Sequence, residues 1–90
     1  MPEITSASLQ KFSTLVKLNP EDPEAHFGLG FAHEESENMI EAFKEFEQAA
    51  KLNPRHARAY LHMGFQFARS NELVRAVQSW KRAWEIDPDI

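Results

Sequence analysis

The sequence predicts an all-α fold built from a repeated helical hairpin. Three similar phrases, Leu18-Asn19-Pro20, Leu52-Asn53-Pro54 and Ile86-Asp87-Pro88, recur at a spacing of 34 residues. The segments between the prolines are rich in Ala, Glu, Leu, Lys and Gln, which are strong helix formers. A fixed period in this size range is typical of arrays in which hairpins stack on one another. We therefore expect one domain over residues 1–90, with five helices in about two and a half repeats.

Composition and charge exclude several classes of protein. The chain has 90 residues, no cysteine and a net charge of −4, so disulfide frameworks and thiolate sites are excluded. The acidic balance argues against non-specific nucleic-acid binding, which needs a basic face. No apolar run is long enough to cross a bilayer. The start, Met1-Pro2-Glu3, lacks the pattern of a signal peptide, so we expect a cytoplasmic protein that binds neither nucleic acid nor membrane.

The first two predicted helices lie before the first polar break. A leading helix over residues 5–18 starts near Thr5 or Ser6 and carries apolar residues at three- to four-residue spacing. In the next helix, Asp22 is expected to cap the N-terminus. Pro23 then takes the first helical position, where its missing N–H costs nothing.

The remaining helices follow the same plan. Asn38, with an acidic residue three positions later, resembles a capping box. The helix that it begins should end at Asn53-Pro54, because the residue before a proline is pushed out of helical geometry. In the second unit the expected cap is Ser70 or Asn71, and the expected stop is Asp87-Pro88.

The two complete units align without a gap. Residues 23–56 and 57–90 share seven identities. Two of these are the mid-helix glycines Gly30 and Gly64, each of which costs about 1 kcal/mol relative to alanine. The cost is tolerable if the glycines let a partner helix approach closely, and we expect this approach at Ala42 and Ala76 in the same units. The small and aromatic residues of the pattern are therefore interpreted as core packing.

This pattern resembles the tetratricopeptide repeat, a 34-residue helix–turn–helix family, over residues 5–90. The family positions of the first complete unit hold His26, Leu29-Gly30, His33, Ala42, Phe46, Ala49 and Pro54. Those of the second unit hold Tyr60, Met63-Gly64, Phe67, Ala76, Trp80, Ala83 and Pro88. The first unit departs from the family by placing histidine at both early aromatic positions. The resemblance implies a right-handed solenoid.

The resemblance also implies that the first helices of the units line a concave groove. In the first unit the groove residues would be Glu24, Phe27, Gly28, Phe31, Glu34 and Glu35; in the second, Arg58, Leu61, His62, Phe65, Ala68 and Arg69. Four of these are large apolar side chains that the two helices are not expected to bury: Phe27, Phe31, Leu61 and Phe65. Such a patch is typical of a binding site for a partner's apolar segment. The ligand would be oriented by Glu34, Glu35, Arg58, His62 and Arg69. Alternatively, the four apolar residues pack against a terminal helix, a neighbouring subunit or one another.

A second functional hypothesis is self-assembly. A solenoid unit cannot bury its own face alone, and terminal units normally carry polar caps. On the last predicted helix, Val77, Trp80 and Trp84 have no following unit to cover them. These three residues are therefore candidates for a homo-oligomer interface; alternatively, the chain is a fragment of a longer array or tolerates exposed apolar edges.

Enzymatic and metal-binding functions are not expected. His26 and His33 are seven residues apart, about 10.5 Å along a helix, which is too far to share one ion. The run that starts at His33 lacks the second histidine of the H-E-x-x-H zinc signature. No phosphate-binding loop and no nucleophile with a base partner is present. We therefore predict a non-enzymatic interaction scaffold with no cofactor, no metal and no catalytic residue.

Overall fold

A computed structural model describes the backbone of residues 2–90 and the side chains of residues 7–90. In this part of the chain there are five helices and no strand: α1 (Pro2–Leu18), α2 (Pro23–Glu35), α3 (Met39–Leu52), α4 (Ala57–Arg69) and α5 (Leu73–Ile86). The predicted all-α helical repeat is confirmed. Helix α1 begins at Pro2, three residues before the predicted start of the leading helix. None of the helices in the described part is both long and apolar enough to cross a membrane.

The helix boundaries in each unit follow from local signals. Asp22 caps α2, because its Oδ1 accepts a hydrogen bond of 2.9 Å from the backbone N–H of Glu24. Pro23 takes the first helical position, as predicted. The second helices end at Asn53 and Asp87, both of which have extended backbone geometry and precede a proline.

The turn within each unit uses a left-handed residue. Glu37 and Asn71 have φ values of 62° and 60° and lie 34 residues apart. After α2, the N–H of Asn38 donates to the carbonyl of His33 at 2.8 Å. This pairing, together with the bond from Glu37 to Glu34, is the Schellman arrangement of a helix C-terminus.

The predicted side-chain caps of α3 and α5 are wrong. Asn38 makes no capping hydrogen bond, and its Nδ2 lies 3.4 Å from His33 Nδ1 instead. In the second unit, Ser70 and Asn71 belong to the left-handed turn, and the N-cap position falls to Glu72. The tight turn sets the first residue of the second helix in each unit. The polar residues before that helix therefore belong to the C-terminal turn of the first helix.

The helices stack in chain order, each packing on the next. Phe46 of α3 is the largest fully buried side chain. Five alanines at positions where helices pack together have no exposed surface: Ala42, Ala49, Ala59, Ala76 and Ala83. The small and aromatic residues of the repeat therefore form the core, as the sequence indicated.

The glycines are places where an aromatic ring meets a helix backbone. A Cβ on Gly30 would lie 2.8 Å from the ring of Phe46 and 3.2 Å from the carbonyl oxygen of Ala42. This confirms the predicted close approach. A Cβ on Gly64 would overlap the indole of Trp80, rather than meet Ala76 as predicted.

Candidate functional site

Helices α2 and α4 lie side by side and present two exposed phenylalanines. Phe31 on α2 is 41% exposed and Phe65 on α4 is 44% exposed. The imidazole of His62 lies between them, with ring centroids 5.7 Å from Phe31 and 5.8 Å from Phe65. Both contacts are edge-on, with interplanar angles of 77° and 89°. The surface formed by Phe31, Glu34, Leu61, His62 and Phe65 is called the α2–α4 face below.

A polar network lies beside the aromatic rings of this face. His62 Nδ1 donates to Glu34 Oε1 at 3.0 Å, and Gln66 Nε2 donates to Glu34 Oε2 at 3.1 Å. The side chains of His62 and Glu34 are only 17% and 18% exposed. Hydrogen bonds to a charged acceptor in a partly buried setting are stronger than neutral ones. Glu34 therefore fixes the position of His62, and with it the spacing of the two exposed phenylalanines.

Phe27 differs from the prediction, because it is only 8% exposed. Its ring packs against Phe46, with centroids 5.5 Å apart, and against His56 at 5.0 Å. The guanidinium of Arg58 lies over the ring, 4.8 Å from its centroid. Residues of α3 and α4 therefore cover Phe27, and it belongs to the hydrophobic core rather than to an open surface.

Most of the charged residues predicted to orient a ligand are engaged within the protein. Arg58 Nη2 lies 2.8 Å from Glu24 Oε2, and Glu34 is held by the network described above. Glu35 and Arg69 are exposed. Arg58 is exposed as well, although it is paired with Glu24, so Glu35 and Arg69 are the two of the five that are exposed and not held by the contacts described above.

Glu24 also contacts a buried histidine. His56 Nδ1 accepts a hydrogen bond of 3.1 Å from the backbone N–H of Ala59, which places the ring proton on Nε2. His56 Nε2 lies 2.8 Å from Glu24 Oε1, but its direction is poor for a hydrogen bond. Glu24 thus joins the start of α2 to the start of α4 through two contacts.

Two features of this region were not predicted from the sequence. Gln66 is buried and completes the network of Glu34, but a polar residue at this repeat position gave no periodic signal. A cavity of about 500 Å³ lies between α1 and α2 and is lined by Phe12 and Leu15, among others. The equivalence of Phe12 and Phe46, 34 residues apart, was the signal that could have indicated it.

The three candidate self-association residues of α5 separate into two groups. Val77 and Trp84 are 59% and 60% exposed. Trp80 is half-buried: its Nε1 donates to the carbonyl of Leu61 at 3.2 Å, and its ring lies 5.7 Å from that of Phe65. The prediction that Trp80 lies uncovered at the end of the array is therefore wrong, because Trp80 points at α4.

The histidines have structural contacts in this protein. His26 is buried, with Nδ1 2.7 Å from Glu45 Oε1 and Nε2 2.7 Å from the carbonyl oxygen of Pro20. It ties α2 to α3 and to the preceding turn. Among the described residues, no group of three or more His, Asp or Glu side chains is placed to hold a metal ion.

Comparison with known proteins agrees with this architecture. Residues 23–56 match the tetratricopeptide repeat family. The structure of MamA is similar with a TM-score of 0.88 and 21% identity, over 99% of this chain and 52% of that one. MamA from Desulfovibrio magneticus RS-1 gives a TM-score of 0.85 at 21% identity, over 94% of this chain and 48% of that one. No curated protein matches by sequence.

A further solved structure has higher sequence identity. YrrB, described as a TPR protein with an unusual peptide-binding site, has a TM-score of 0.86 and 28% identity. The match covers 97% of this chain and 45% of YrrB, so this chain spans about half the length of the proteins that it resembles. The repeat spacing, the helix packing and these matches lead to one conclusion: the chain has the helical-repeat fold of tetratricopeptide-repeat proteins, and residues 23–56 match that repeat.

Proposed function

We propose that this protein is an interaction module that binds an apolar segment of a partner protein on the α2–α4 face. The observation that carries the proposal is the pair Phe31 and Phe65, each more than two fifths exposed and each in edge-on contact with His62. Aromatic side chains held in this way supply large contact areas at small cost in conformational entropy. They are suited to receive the apolar side chains of an extended or helical peptide.

The polar groups of the face support recognition by apolar contacts. Glu34 is already engaged by His62 and Gln66, so it is not a free acceptor for a ligand. The network holds the rings in place before a ligand arrives, and a preformed surface loses less entropy on binding. Exposed Glu35 and Arg69 flank the face and would select the polar ends of a bound segment.

The relatives are consistent with this function. Tetratricopeptide repeats act as protein-interaction scaffolds, and YrrB is described as having a peptide-binding site. That description supports a peptide or protein ligand for the present chain, but it does not define the ligand's sequence. The chemistry of the face favours a segment with two large apolar residues that reach Phe31 and Phe65.

The test is selection of peptides from a random displayed library on the immobilised full chain. We expect the selected peptides to carry a pair of large apolar residues. Their affinity should fall at least about tenfold on Phe65→Glu, because an acidic group would then face the apolar ligand. Ile40→Glu, at an exposed position of α3, is the matched control and should leave the affinity unchanged. Circular dichroism would confirm that both variants fold, and peptides that bind Phe65→Glu equally well would contradict the proposal.

A second candidate function is self-assembly through α5. In the first unit, Phe43 packs against Phe67 of the next helix, with ring centroids 5.1 Å apart, and Ala50 is buried. The residues 34 positions later are Val77 and Trp84, which are both exposed. The same helix face is thus covered in α3 and uncovered in α5, which favours a role in contact with another chain.

Light scattering tests this alternative. If α5 joins copies of the chain, the wild type should have an oligomeric mass. Trp84→Glu should then reduce it to the mass of one chain, whereas Ile40→Glu should leave it unchanged. A wild-type mass of a single chain at high concentration would rule self-assembly out.

A further inference from the structure

The cavity between α1 and α2 is open and largely apolar. Its volume is about 500 Å³, and its lining includes Phe12 and Leu15 of α1 with Phe27, Gly28 and Phe31 of α2. Leu15 is exposed in this structure. The cavity adjoins the α2–α4 face at Phe31, but it lies on the side of α2 that faces α1.

The internal repeat shows what kind of element fills such a space. Adding 34 to the cavity residues Phe12 and Gly28 gives Phe46 and His62. One repeat length later along the chain, on α3 and α4, those two residues contact α2: the Phe27 ring lies 5.5 Å from Phe46 and 5.4 Å from His62. The space that corresponds to the cavity is thus occupied, one unit later, by a helix. A helix is therefore the shape that fits the cavity.

The contacts of α2 define the apolar residues of that helix. Phe27 and Phe31, four residues apart, make the ring contacts with His62. Gly30 between them meets the ring of Phe46, where a Cβ would lie at 2.8 Å. A helix in the cavity needs the same spacing: two large apolar residues four apart, with a small residue just before the second. At Gly28 the imidazole of His62 has no counterpart; the ring of Phe12 lies against the helix backbone there and would overlap a Cβ. A bulky apolar side chain of the docking helix would therefore contact the Phe12 ring.

The charges around the cavity define a third feature. On α2, Glu24 lies three residues before the apolar pair and contacts His56 and Arg58, both at 2.8 Å. The residues 34 positions before these two partners are Asp22 and Glu24, which line the cavity. Arg58 at the rim neutralises Glu24, which leaves Asp22 as the acidic group. The cavity thus has an acidic group where the partners of Glu24 are His56 and Arg58. The docking helix therefore needs a basic residue at the position where α2 has Glu24.

We propose that this cavity binds an amphipathic helix of a partner protein. The helix carries a basic residue, a large apolar residue three positions later, a small residue six positions later and a second large apolar residue seven positions later. The proposal goes beyond the proposed function, because it assigns a second binding site beside the α2–α4 face and the chemistry of its partner. The helix lies against α1 and α2 in the place that α2 takes against α3 and α4. Its basic residue faces Asp22 and its apolar residues contact Phe12, Leu15 and Phe31.

The chain itself supplies a suitable probe. A capped synthetic peptide of residues 55–72 carries Arg58, Leu61, Gly64 and Phe65 at the four required positions. We would label it with fluorescein and measure its anisotropy with the full chain at 0.15 M salt. The same peptide with Arg58→Glu is the charge control, and a scrambled peptide of equal composition controls for non-specific attraction. We expect the charge control to bind about twofold to fivefold more weakly, because one exposed charge pair contributes up to about 1 kcal/mol. We expect no binding of the scrambled peptide.

Two variants of α1 locate the peptide. Leu15 lines the cavity and Leu18 on the same helix is exposed outside it. Leu15→Arg should weaken binding at least about tenfold, because it places a cation among the apolar contacts and beside the basic residue of the peptide. Leu18→Arg makes the same change in charge and should leave binding unchanged. Circular dichroism should show equal helix content for both variants.

Any one of four results would overturn the proposal. The first is binding of the scrambled peptide as tight as that of the residue 55–72 peptide. The second is binding that Leu15→Arg leaves intact and Phe65→Glu abolishes, which would place the helix on the α2–α4 face and retain the proposed function. The third is a wild-type protein with an oligomeric mass that falls to the mass of one chain on Leu15→Arg but not on Leu18→Arg. A second copy of the chain would then occupy the cavity. Loss of library-selected peptides on Phe65→Glu, with no binding of the residue 55–72 peptide, would refute only the cavity proposal.

Discussion

Glu34 on α2 and His62 on α4 are joined across two repeat units, with Glu34 Oε1 3.0 Å from His62 Nδ1. The pair links residues 28 positions apart, and the second oxygen of the same carboxylate accepts from Gln66. One acidic side chain therefore holds two polar groups of α4 against α2. Because Phe31 and Phe65 both rest on the His62 ring, the shape of the α2–α4 face depends on this carboxylate.

Replacing Glu34 should destabilise the protein. Glu34→Leu leaves the largely buried donors of His62 and Gln66 without their acceptor, so we expect the free energy of unfolding to fall by about 2 kcal/mol. Urea unfolding followed by circular dichroism measures this. Glu35→Leu is the adjacent, exposed control and should change the value by less than about 0.5 kcal/mol. Equal effects of the two changes would show that the network does not stabilise the fold.

This network shows why the site was harder to predict than the fold. The helices repeat every 34 residues, and their ends are marked by proline and by polar turn residues, which are local signals. The Glu34–His62 contact has no repeat equivalent, because the residues at the matching positions are Gly28 and Ala68. A contact that occurs once between distant residues leaves no periodic trace in a single sequence.

The burial of individual side chains on one helix face also could not be predicted from the sequence pattern. Trp80 and Trp84 are four residues apart on one face of α5, and periodicity treats them alike. Their difference arises because Gly64 on α4 lacks a side chain, so the indole of Trp80 can lie against the backbone there. The pattern likewise places Phe27 on an exposed face, because the residues that cover its ring, Phe46, His56 and Arg58, are distant in sequence.

His26 should be important for stability. It is buried between Glu45 and the Pro20 carbonyl, each 2.7 Å from one of its ring nitrogens. His26→Ala removes both contacts and leaves space in the interior, so we expect a loss of about 2–3 kcal/mol in the free energy of unfolding. His33→Ala, at a half-buried position in the same helix, should cost less than half as much. A His26→Ala protein as stable as the wild type would show that these contacts contribute nothing net.

The left-handed turn of the first unit is a site for stabilisation. Glu37 has φ 62°, a conformation that costs most residues about 1–2 kcal/mol and glycine almost nothing. Glu37→Gly should therefore raise the free energy of unfolding by about 0.5–1 kcal/mol and the melting temperature by roughly 4 °C. Asn71→Gly at the equivalent turn should gain less, because asparagine tolerates this geometry. A lower melting temperature for Glu37→Gly would contradict the explanation.

The two tryptophans should differ in their accessibility to a fluorescence quencher. Trp84 is 60% exposed, whereas Trp80 is half-buried and donates to the Leu61 carbonyl. Trp80→Phe leaves only Trp84, so its emission should be quenched readily by iodide, and Trp84→Phe should leave emission that iodide quenches weakly. If the α5 faces join copies of the chain, quenching of Trp84 will decrease as protein concentration rises, while that of Trp80 stays constant. Equal quenching of the two variants at low concentration would mean that Trp80 does not pack against α4.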